Sequence, residues 1–445
     1  MRYNIKKRPV KDNKGISKMK KKIAVIGLGH IGLQLAFHFS KAFGEVTGFD
    51  RNKERIAELK KGHDSMKDIS KKAIGSASIR YTSDPKRLKG CNFIIIAVPT
   101  PLKDKEPDLS SLKDASEIAG KILAKGATVV YESTVYPGAT EEICIPILEK
   151  HSGLGCPKDF KAGYSPERVN IGDKKHSLDK VIKVVSAIDK GSLEDISETY
   201  SKVIRAGIHK AKSIMVAEAS KLAENIQRDV NIALANELSL AFSHMGIGAK
   251  EVIEASSTKW NFHRYSPGLV GGSCIAVDPY YLIAKAGKAG YKPGIIKESR
   301  KLNESMVGLM ISKISQMLRR SGKGIHGSKV LLMGLSYKED ISDMRQSRSI
   351  DLVLGLKEKG ALVFVHDPLV SEHHIKKELK AASTSLDSLE GLDCIIIAAP
   401  HSVFRSVSLE DLKKKMRTPI LVDIKGFYDK SQAIKKGFSY YSLLQ

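Results

Sequence analysis

The chain has 445 residues, of which 42% are hydrophobic and 28% are charged, a composition typical of a globular protein with roughly two to four domains. No apolar run reaches the ~18 residues of a membrane-spanning helix, so we expect no membrane segment. The five cysteines are scattered and include no Cys-x-x-Cys pair, which excludes a disulfide framework and a zinc or redox pair of that kind. We therefore expect a cytoplasmic protein without a bound metal.

The net charge of +25 is unevenly distributed. Residues 1–22 contain ten Lys/Arg and one Asp, so they supply +9 of the total and leave +16 for the other 423 residues. No apolar run follows these charges, which excludes a signal peptide. We interpret residues 1–20 as a basic, disordered tail, with Met19 as an alternative start, and expect no nucleic-acid binding. The remaining excess suits anionic ligands such as nucleotides.

The first half contains short, nearly continuous apolar runs of the kind that a parallel sheet buries on both faces. Each run ends in a glycine, an aspartate or a Pro-containing loop, and amphipathic helical patterns separate the runs. The pattern predicts strands over residues 22–27, 45–50, 92–98 and 127–132.

The middle of the chain is predicted to be helical. No Gly or Pro occurs from Ser213 to Met245, and Ala, Leu and Ile are frequent there. This predicts a helix of about thirty residues and about 45–50 Å. A helix so long and apolar needs neighbours on several sides, so we expect a spine between two domains that also serves a homodimer or higher homo-oligomer.

The last third repeats the scheme of the first, with strands predicted over 329–334, 361–367, 393–399 and 419–423. Gly-Phe-Asp50 is echoed by Val-His-Asp367, and Ile-Ile-Ile-Ala-Val-Pro99 by Ile-Ile-Ile-Ala-Ala-Pro400. The expected fold class is α/β. Two Rossmann-like doubly wound parallel-sheet domains, 21–212 and 319–445, would be joined by the long central helix and a helical middle domain, 213–318.

A glycine-rich loop follows the first predicted strand and opens a helical pattern, in the form Gly27-Leu-Gly29-His30-Ile31-Gly32. The first glycine permits a tight turn, the second lets a pyrophosphate approach the backbone, and the third lets helix and strand pack closely. The helix N-terminus then offers free N–H groups to phosphate. Asp50, at the end of the second strand, would accept from both ribose hydroxyls. The motif predicts NAD rather than NADP.

A second motif contains the candidate nucleophile, in the run Gly271-Gly272-Ser273-Cys274-Ile-Ala-Val-Asp278. The other cysteines lie in or near apolar runs and are expected to be structural. Cys274 differs because glycines, a serine and an acid surround it. Two glycines would let a ligand approach closely, and a thiol can form a covalent intermediate.

One face of the long helix carries Lys221, Asn225 and Arg228 at spacings of four and three. A Lys and an Asn at this spacing can place a cation and an amide donor at one oxyanion. For Arg228, a position on an ordinary solvent-exposed strip of the helix is as good an interpretation as a functional role.

Polar loops follow several of the predicted strands, at the carboxyl edge where open α/β sheets bind ligands. Thr100 and Thr134 end the third and fourth strands, and Glu167 in Ser165-Pro-Glu167-Arg168 is a candidate acid–base carboxylate. In the last domain, the turn at Gly334 lacks the third glycine. That turn could hold a phosphate ligand through Lys338 and the backbone without being a second NAD site.

These motifs, in this order, resemble those of the UDP-glucose/GDP-mannose dehydrogenase family from Lys21 onward. The matching segments are Gly27–Gly32, Glu132-Ser-Thr134, Ser165-Pro-Glu167, Lys221-x-x-x-Asn225, Gly-Gly-Ser-Cys274-x-x-x-Asp278 and Gly-Leu-Ser-Tyr-Lys338 through Asp-Met-Arg345. The runs around Glu167 and Cys274 are most similar to the branch that oxidises UDP-N-acetylhexosamines (UDP-GlcNAc or UDP-GalNAc) for surface polysaccharides. The resemblance implies a four-electron oxidation at C6 of a UDP-sugar by two NAD, through a thiohemiacetal and a thioester on Cys274.

The resemblance also implies roles for individual residues. Lys221 and Asn225 would stabilise oxyanions, Asp278 would orient water or Lys221, Thr134 would help to hold that water, and Glu167 would act as an acid–base group. The cofactor would be held by Gly27, Gly29, His30, Ile31, Gly32, Asp50, Arg55, Thr100, Thr134 and Arg345. The substrate would be held by Glu167, Arg168, Val169, Asn170, Lys221, Asn225, Tyr265, Gly271, Gly272, Lys338 and an arginine donated by a partner subunit, for which Arg264 is the candidate.

Two positions depart from the family's patterns. Members acting on UDP-glucose carry a second Glu where this chain has Ile171, and many acetylhexosamine relatives carry His where this chain has Ser273. UDP-glucose 6-dehydrogenase therefore stays the alternative. A two-electron hydroxyacid dehydrogenase would need neither the Cys nor a third domain, and the intact Lys221, Asn225, Cys274 and Asp278 argue against a catalytically silent NAD-binding regulator.

Overall fold

The computed structural model describes residues 21–66, 68–169, 176–379 and 385–445. The predicted basic tail, residues 1–20, and the predicted substrate residue Asn170 lie outside the described residues. Within the described ranges, no helix is both long and apolar enough to cross a membrane.

The first sheet is mainly parallel and has eight strands within the described residues. These are β1 (Ile23–Ile26), β2 (Val46–Phe49), β3 (Ile79–Thr82), β4 (Phe93–Ile96), β7 (Thr128–Tyr131), β8 (Lys161–Tyr164), β9 (Lys183–Ala187) and β10 (Ile208–Lys210); a small hairpin of β5 (Leu102–Lys103) and β6 (Glu106–Pro107) follows β4. The order of the eight-stranded sheet is β10-β9-β8-β7-β4-β1-β2-β3, and within the described part of this sheet only the β8–β9 pair is antiparallel. The predicted strands are confirmed as β1, β2, β4 and β7.

Helices cover both faces of this sheet: α1 (His30–Phe43), α2 (Lys53–Lys60), α3 (Lys71–Ser76), α4 (Ser110–Ile122), α5 (Ile145–Ser152) and α6 (Lys190–Ser201). Alternate residues of one strand enter two different cores. Ala24 and Ile26 pack into one core, whereas Ile23 and Val25 pack into the other. Burial on both faces is why these strands read as continuous apolar runs.

Four helices follow the first sheet: α7 (Ile214–His244), α8 (Ala249–Ser256), α9 (Asp278–Lys288) and α10 (Gly294–Arg320). The long helix predicted after Ser213 is confirmed as α7, a helix of 31 residues whose first turn is capped by the Ser213 side chain. The second long helix, α10, packs along it. Their contact includes a buried ion pair in which Arg300 Nη1 lies 2.6 Å from Asp229 Oδ1.

The second sheet is wholly parallel across its five described strands, in the order β12-β11-β13-β14-β15. The strands are β11 (Lys329–Met333), β12 (Leu362–His366), β13 (Leu392–Ile397), β14 (Met416–Asp423) and β15 (Ser439–Tyr441), and the helices are α11 (Arg348–Glu358), α12 (Glu372–Leu379), α13 (Leu409–Lys414) and α14 (Lys430–Lys435). The expected fold class, two parallel-sheet α/β units with helices between them, is confirmed. The exact domain limits stay predictions.

Candidate active site

The glycine-rich loop leaves room for a ligand at one position and is filled by protein at the other two. A Cβ at Gly27 would lie 2.5 Å from the carbonyl oxygen of Ala97, and a Cβ at Gly32 would lie 1.8 Å from the carbonyl oxygen of Gly27. At Gly29 the same construction meets no atom within 4 Å. Helix α1 begins immediately afterwards at His30, without a side-chain cap. The loop therefore fits a pyrophosphate at Gly29 and at the N–H groups of the first turn.

Asp50 lies at the end of β2, beside this loop. Its carboxylate accepts the N–H groups of Leu28 and Asn52, both at 2.8 Å. The side chain remains partly exposed, and a carboxylate accepts more than two hydrogen bonds, so capacity is left for ribose hydroxyls. Across the cleft, the hydroxyl of Thr100 donates to the carbonyl of Thr134 at 2.8 Å, which ties the loops after β4 and β7 together.

The predicted role of Arg55 with the adenosine half of the cofactor requires its side chain to point into the cleft. In the structure the side chain points away from the cleft. The Arg55 side chain is 6% exposed and turns inward, where Nε donates to the carbonyl of Leu28 at 2.9 Å and Nη1 pairs with Asp64 at 2.8 Å and with Glu58. The structure therefore supports a role beneath the glycine loop, holding its backbone in place.

Cys274 is the exposed member of the five cysteines, all of which lie in the described residues as free thiols. Cys91, Cys144 and Cys394 are buried and Cys156 is partly buried, as expected for structural cysteines. Neighbouring protein desolvates one side of the Cys274 thiol and raises its pKa; the charge of Asp278 adds to the rise, and the charge of Lys221 opposes it. At neutral pH the resting group is a thiol, so a nearby base must take its proton before attack.

The predicted oxyanion residues meet Cys274 where α7 and α9 pack together. Lys221 and Asn225 are buried on α7, and the amide of Asn225 donates to the carboxylate of Asp278, the first residue of α9. The N–H of Asp278 in turn donates to the carbonyl of Cys274 at 2.9 Å. Burial raises the pKa of Asp278 to about 6, against the opposing charge of Lys221. Arg228, left open by the sequence, donates to the side-chain oxygen of Asn225 and so fixes the orientation of that amide.

Each of the two glycines before Cys274 is required by a close contact with the second unit. A Cβ at Gly271 would lie 2.6 Å from the carbonyl oxygen of Gln346, and a Cβ at Gly272, which has φ +85°, would lie 2.9 Å from the Tyr337 ring. The space beside them is therefore filled by the second unit rather than left open for a ligand. Contact of their backbone with substrate stays a prediction.

The loop between β11 and α11 reaches both the thiol and the glycine-rich loop. Tyr337 packs against Gly272, while Asp343 Oδ2 lies 3.9 Å from His30 Nε2. Arg345 is paired with Asp343 at 2.8 Å, so its guanidinium lies beside the carboxylate that faces His30, and its contact with NAD stays a prediction. The opposite nitrogen of His30 is 2.6 Å from Asp68. One loop of the second unit thus joins the predicted cofactor and thiol sites.

Glu167 is held by its own loop and by a cation that none of the sequence motifs contains. Its carboxylate accepts the N–H groups of Arg168 and Val169 and lies 3.4 Å from Lys183 Nζ. Lys183 also pairs with Glu132 at 2.6 Å. A single Lys inside the apolar run 181–185 is the signal that could have revealed this cluster.

Three other predicted substrate residues lie apart from this cluster. Lys338 is partly buried in the loop after β11, where its carbonyl accepts the Ser336 hydroxyl at 2.7 Å. Arg264 is exposed and Tyr265 partly exposed, in the segment between α8 and α9. Within the described part of this one chain, Arg264 makes no hydrogen bond or ion pair, so its role stays a prediction that depends on a partner subunit.

Three models of one protein family match the chain in succession. They are described as the NAD binding domain (residues 21–204), the central domain (215–305) and the UDP binding domain (331–430) of the UDP-glucose/GDP-mannose dehydrogenase family.

Relatives of known name cover nearly the whole chain. A UDP-N-acetyl-D-glucosamine 6-dehydrogenase from Pseudomonas aeruginosa is 45% identical over 93% of this chain and 98% of its own length, and protein CapL from Staphylococcus aureus is 44% identical over the same shares. Among solved structures, the UDP-D-ManNAc dehydrogenase of Pyrococcus horikoshii superposes with a TM-score of 0.86 at 30% identity, over 95% of this chain and 99% of that one.

Proposed function

The chain belongs to the UDP-glucose/GDP-mannose dehydrogenase family, and from that premise we propose that it oxidises C6 of a UDP-N-acetylhexosamine to the uronic acid. It is an NAD-dependent nucleotide-sugar dehydrogenase, with a UDP-sugar as its substrate. One observation carries the finer proposal: the accessible thiol of Cys274 lies one turn before Asp278, at the junction with Lys221 and Asn225 on α7. Identities of 44–45% to named UDP-N-acetylglucosamine 6-dehydrogenases support the acetylhexosamine as substrate.

The overall reaction balances with two cofactor molecules and one water. The C6 alcohol loses a hydride and a proton to give the aldehyde, and the Cys274 thiolate adds to that carbon to give a thiohemiacetal. Loss of a second hydride gives a thioester. Water then adds and the sulfur leaves, releasing the carboxylate and the thiol, so that two NADH and three protons are formed per sugar. Bound NAD supplies the hydride acceptor in both oxidations. The covalent intermediate retains the reactive aldehyde between them.

The residues around the thiol have separate roles in this proposal. Lys221 and the Asn225 amide donate to the oxygen at C6, whose negative charge grows in each tetrahedral state. Asp278 holds Asn225 in place and, with a pKa of about 6, is ionised at neutral pH and able to accept a proton from the thiol or from water. Glu167 holds the loop backbone beside the sugar and serves as the acid–base group. Thr134 holds the hydrolytic water.

The uracil and phosphates are assigned to the second unit, together with Lys338, and the Arg264 and Tyr265 segment completes the site in a homodimer or higher homo-oligomer. We propose surface polysaccharide biosynthesis as the pathway that uses the uronic acid. We propose the cytoplasm as the compartment, because all five cysteines are free thiols.

A substrate panel tests the proposal most directly. Purified enzyme and NAD are given UDP-GlcNAc, UDP-GalNAc or UDP-glucose, and NADH formed is compared with sugar consumed. We expect a ratio of two and the highest kcat/KM with an acetylhexosamine. A ratio of one would rule out the four-electron reaction. Preference for UDP-glucose, the alternative left open by Ser273, would change the substrate and keep the mechanism.

Replacement of Cys274 by Ser tests the covalent route. The hydroxyl is a far weaker nucleophile at neutral pH, so the variant should stall after the first oxidation and form at most one NADH per sugar. Full conversion to the uronic acid by that variant would contradict the role of the thiol.

A further inference from the structure

A buried cluster of charges lies behind the loop that carries Glu167. Lys183, the first residue of β9, is 3% exposed, and its Nζ lies 2.6 Å from Glu132 Oε2, 3.0 Å from the carbonyl oxygen of Pro166 and 3.4 Å from Glu167 Oε2. Its three hydrogen bonds therefore reach the end of β7 and two consecutive residues after β8. No part of this arrangement is needed to form the sheet itself, because the β9 pairing uses backbone groups.

Side chains from several helices surround this cluster. Tyr200 of α6 donates its hydroxyl to Glu132, and the Lys183 cation lies 5.8 Å from the centre of the Tyr200 ring. On the other side, Arg168 pairs with Glu224 on α7, one residue before Asn225. His38 of α1 also interacts electrostatically with Glu167. The loop that carries Glu167 thus contacts both the first sheet and α7, the helix that bears Lys221 and Asn225.

The charges in this cluster do not cancel. Two carboxylates share one ammonium, and burying an uncompensated charge is costly. Burial raises the pKa of Glu132 to about 7, even though the charge of Lys183 opposes the rise. Burial alone would lower the pKa of Lys183, but the two carboxylates outweigh it and the net shift is upward. Lys183 therefore stays charged at neutral pH, while the cluster takes up a proton near neutrality.

We propose that Lys183 is a positioning residue for the oxidation, which acts by holding the Pro166 carbonyl and the Glu167 carboxylate so that the segment 166–169 keeps its place beside α7. The inference rests on the proposed function, because that function makes Glu167 the acid–base group acting on the UDP-sugar. Lys183 itself touches no substrate, and its effect passes through Glu167.

Replacement of Lys183 by Met removes the charge and the donors at nearly constant length. We expect kcat/KM for the UDP-sugar to fall by about 10- to 100-fold, the cost of a displaced catalytic group, with the KM for NAD unchanged. Without the cation the cluster binds its proton more tightly, so the acidic limb of the pH profile of kcat/KM should move to higher pH. Lys161→Met removes a partly exposed cation from the start of the neighbouring strand, where it pairs with Asp195 at 3.5 Å, and should leave both readouts unchanged.

Two further variants separate positioning from charge balance. Glu132→Gln removes the second carboxylate and should move the acidic limb to lower pH, opposite to Lys183→Met. The double variant Glu132→Gln with Lys183→Met restores the net charge of the wild-type cluster without restoring the contacts to Pro166 and Glu167, so its activity should stay as low as that of Lys183→Met. Recovery of wild-type activity by the double variant, or an unmoved limb in Lys183→Met, would overturn the proposal. If Lys183→Met does not fold, the pH profile of kcat/KM for Glu132→Gln tests the proposal. A limb that moves to lower pH supports the proposal, and an unmoved limb overturns it.

A readout without turnover keeps this inference separate from the proposed function. The N–H groups of Arg168 and Val169 are protected by the Glu167 carboxylate, so hydrogen exchange of a peptide that ends near residue 169 should accelerate in Lys183→Met and not in Lys161→Met. If the wild-type enzyme oxidises no UDP-sugar, the proposed function fails while this exchange result still stands. If the enzyme is active and the exchange is unchanged, the positioning role fails alone.

Discussion

The two α/β units build the same turn and use it differently. In the first, the N–H of Gly27 donates to Phe49 and the N–H of Leu28 donates to Asp50; in the second, Gly334 donates to His366 and Leu335 to Asp367. Both glycines have positive φ and lie against the carbonyl of a residue just beyond a neighbouring strand, Ala97 after β4 or Ala399 after β13. The sequence similarity between these two segments thus reflects the same pattern of hydrogen bonds in both units.

The two units differ in the segment immediately after the turn. Helix α1 starts at once and Asp50 stays partly exposed, whereas Asp367 is 5% exposed and pairs with the fully buried His401 at 3.1 Å. After Gly334 no helix begins until Arg348, and the intervening loop crosses to Gly272 and His30. A glycine turn thus makes a dinucleotide site only where a helix N-terminus and an available carboxylate accompany it.

The largest expected effect comes from the junction between the units. Replacement of Cys274 by Ala should lower kcat at least about 1,000-fold, because the nucleophile is lost, and leave NAD binding intact. Turnover is measured by NADH formation and NAD binding by calorimetry. Cys156→Ala is the control: burial raises the pKa of that thiol to about 12, so we expect its loss to leave kcat unchanged. A Cys274→Ala enzyme with a wild-type rate would move the chemistry away from the junction.

Glycine substitutions test whether the two turns are equally constrained. Gly27→Ala and Gly334→Ala would place a Cβ 2.5 Å and 2.1 Å from carbonyl oxygens, at positive φ in both turns, so each should lower the free energy of unfolding by about 3 kcal/mol or more. Gly29→Ala meets no atom and should keep its stability while losing NAD affinity. Denaturant titrations and NAD binding measure the two effects. A Gly29→Ala variant with unaltered NAD affinity would place the pyrophosphate elsewhere.

Removal of Asp50 should affect NAD binding, whereas removal of Asp367 should affect stability. Asp50→Ala should raise the KM for NAD by about 10- to 100-fold, as expected for loss of charged hydrogen bonds to ribose. Asp367→Ala should leave that KM unchanged and lower the thermal midpoint, because it strands buried His401 and the N–H of Leu335. Steady-state kinetics and thermal unfolding of both variants provide the comparison, and an effect of Asp367→Ala on NAD binding alone would contradict it.

The smallest effect is on pH-dependent stability. Burial raises the pKa of Asp278 to about 6, so its contribution to stability is fully present below about pH 4 and is lost as the pH rises through about 6. Asp278→Asn should therefore be more stable than wild type at pH 8, by about 1–3 kcal/mol, with the gap closing toward pH 4.

Asp367 provides the opposite sign as a control. Burial alone would raise its pKa, but His401 and backbone donors outweigh burial and the net shift is downward. Its ionised form is thus the stabilised one, and Asp367→Asn should lose stability at pH 8. Urea titrations at pH 4, 6 and 8 measure both variants, and equal pH slopes for wild type and Asp278→Asn would refute the assignment.

The sequence predicted the elements whose signal is local. The central strands are continuous apolar runs, α7 has an uninterrupted helical pattern behind the Ser213 cap, and the glycine loop has its strand and helix in place. The strands β3 and β10 escaped notice because they lie at the edges of the sheet, where Ile-Arg-Tyr-Thr and Ile-His-Lys mix polar with apolar residues. Edge strands need no apolar residues on their open side.

The unpredicted parts of the site depend on contacts between distant segments. Asp64 turns Arg55 inward, Tyr337 fills the space beside Gly272, and Lys183 reaches Glu132 across 51 residues. Residue type and spacing do not encode such pairings, because the same arginine or glycine would suit a ligand equally well. Sequence motifs therefore indicate candidate residues near the cleft, and the fold determines which of them face it.

The final residues described bring the second unit back to the central helices. The N–H groups of Ala249 and Lys250, at the start of α8, donate to the carbonyls of Gln445 and Leu444 at 3.0 Å, and the Ser239 hydroxyl donates to Leu443. Because α10 leads directly into β11, both ends of the second unit's chain are joined to the central helices. The C-terminal residues are therefore part of the packing between the second unit and the central helices, so a truncation that removes residues 443–445 would remove these three hydrogen bonds and weaken that packing.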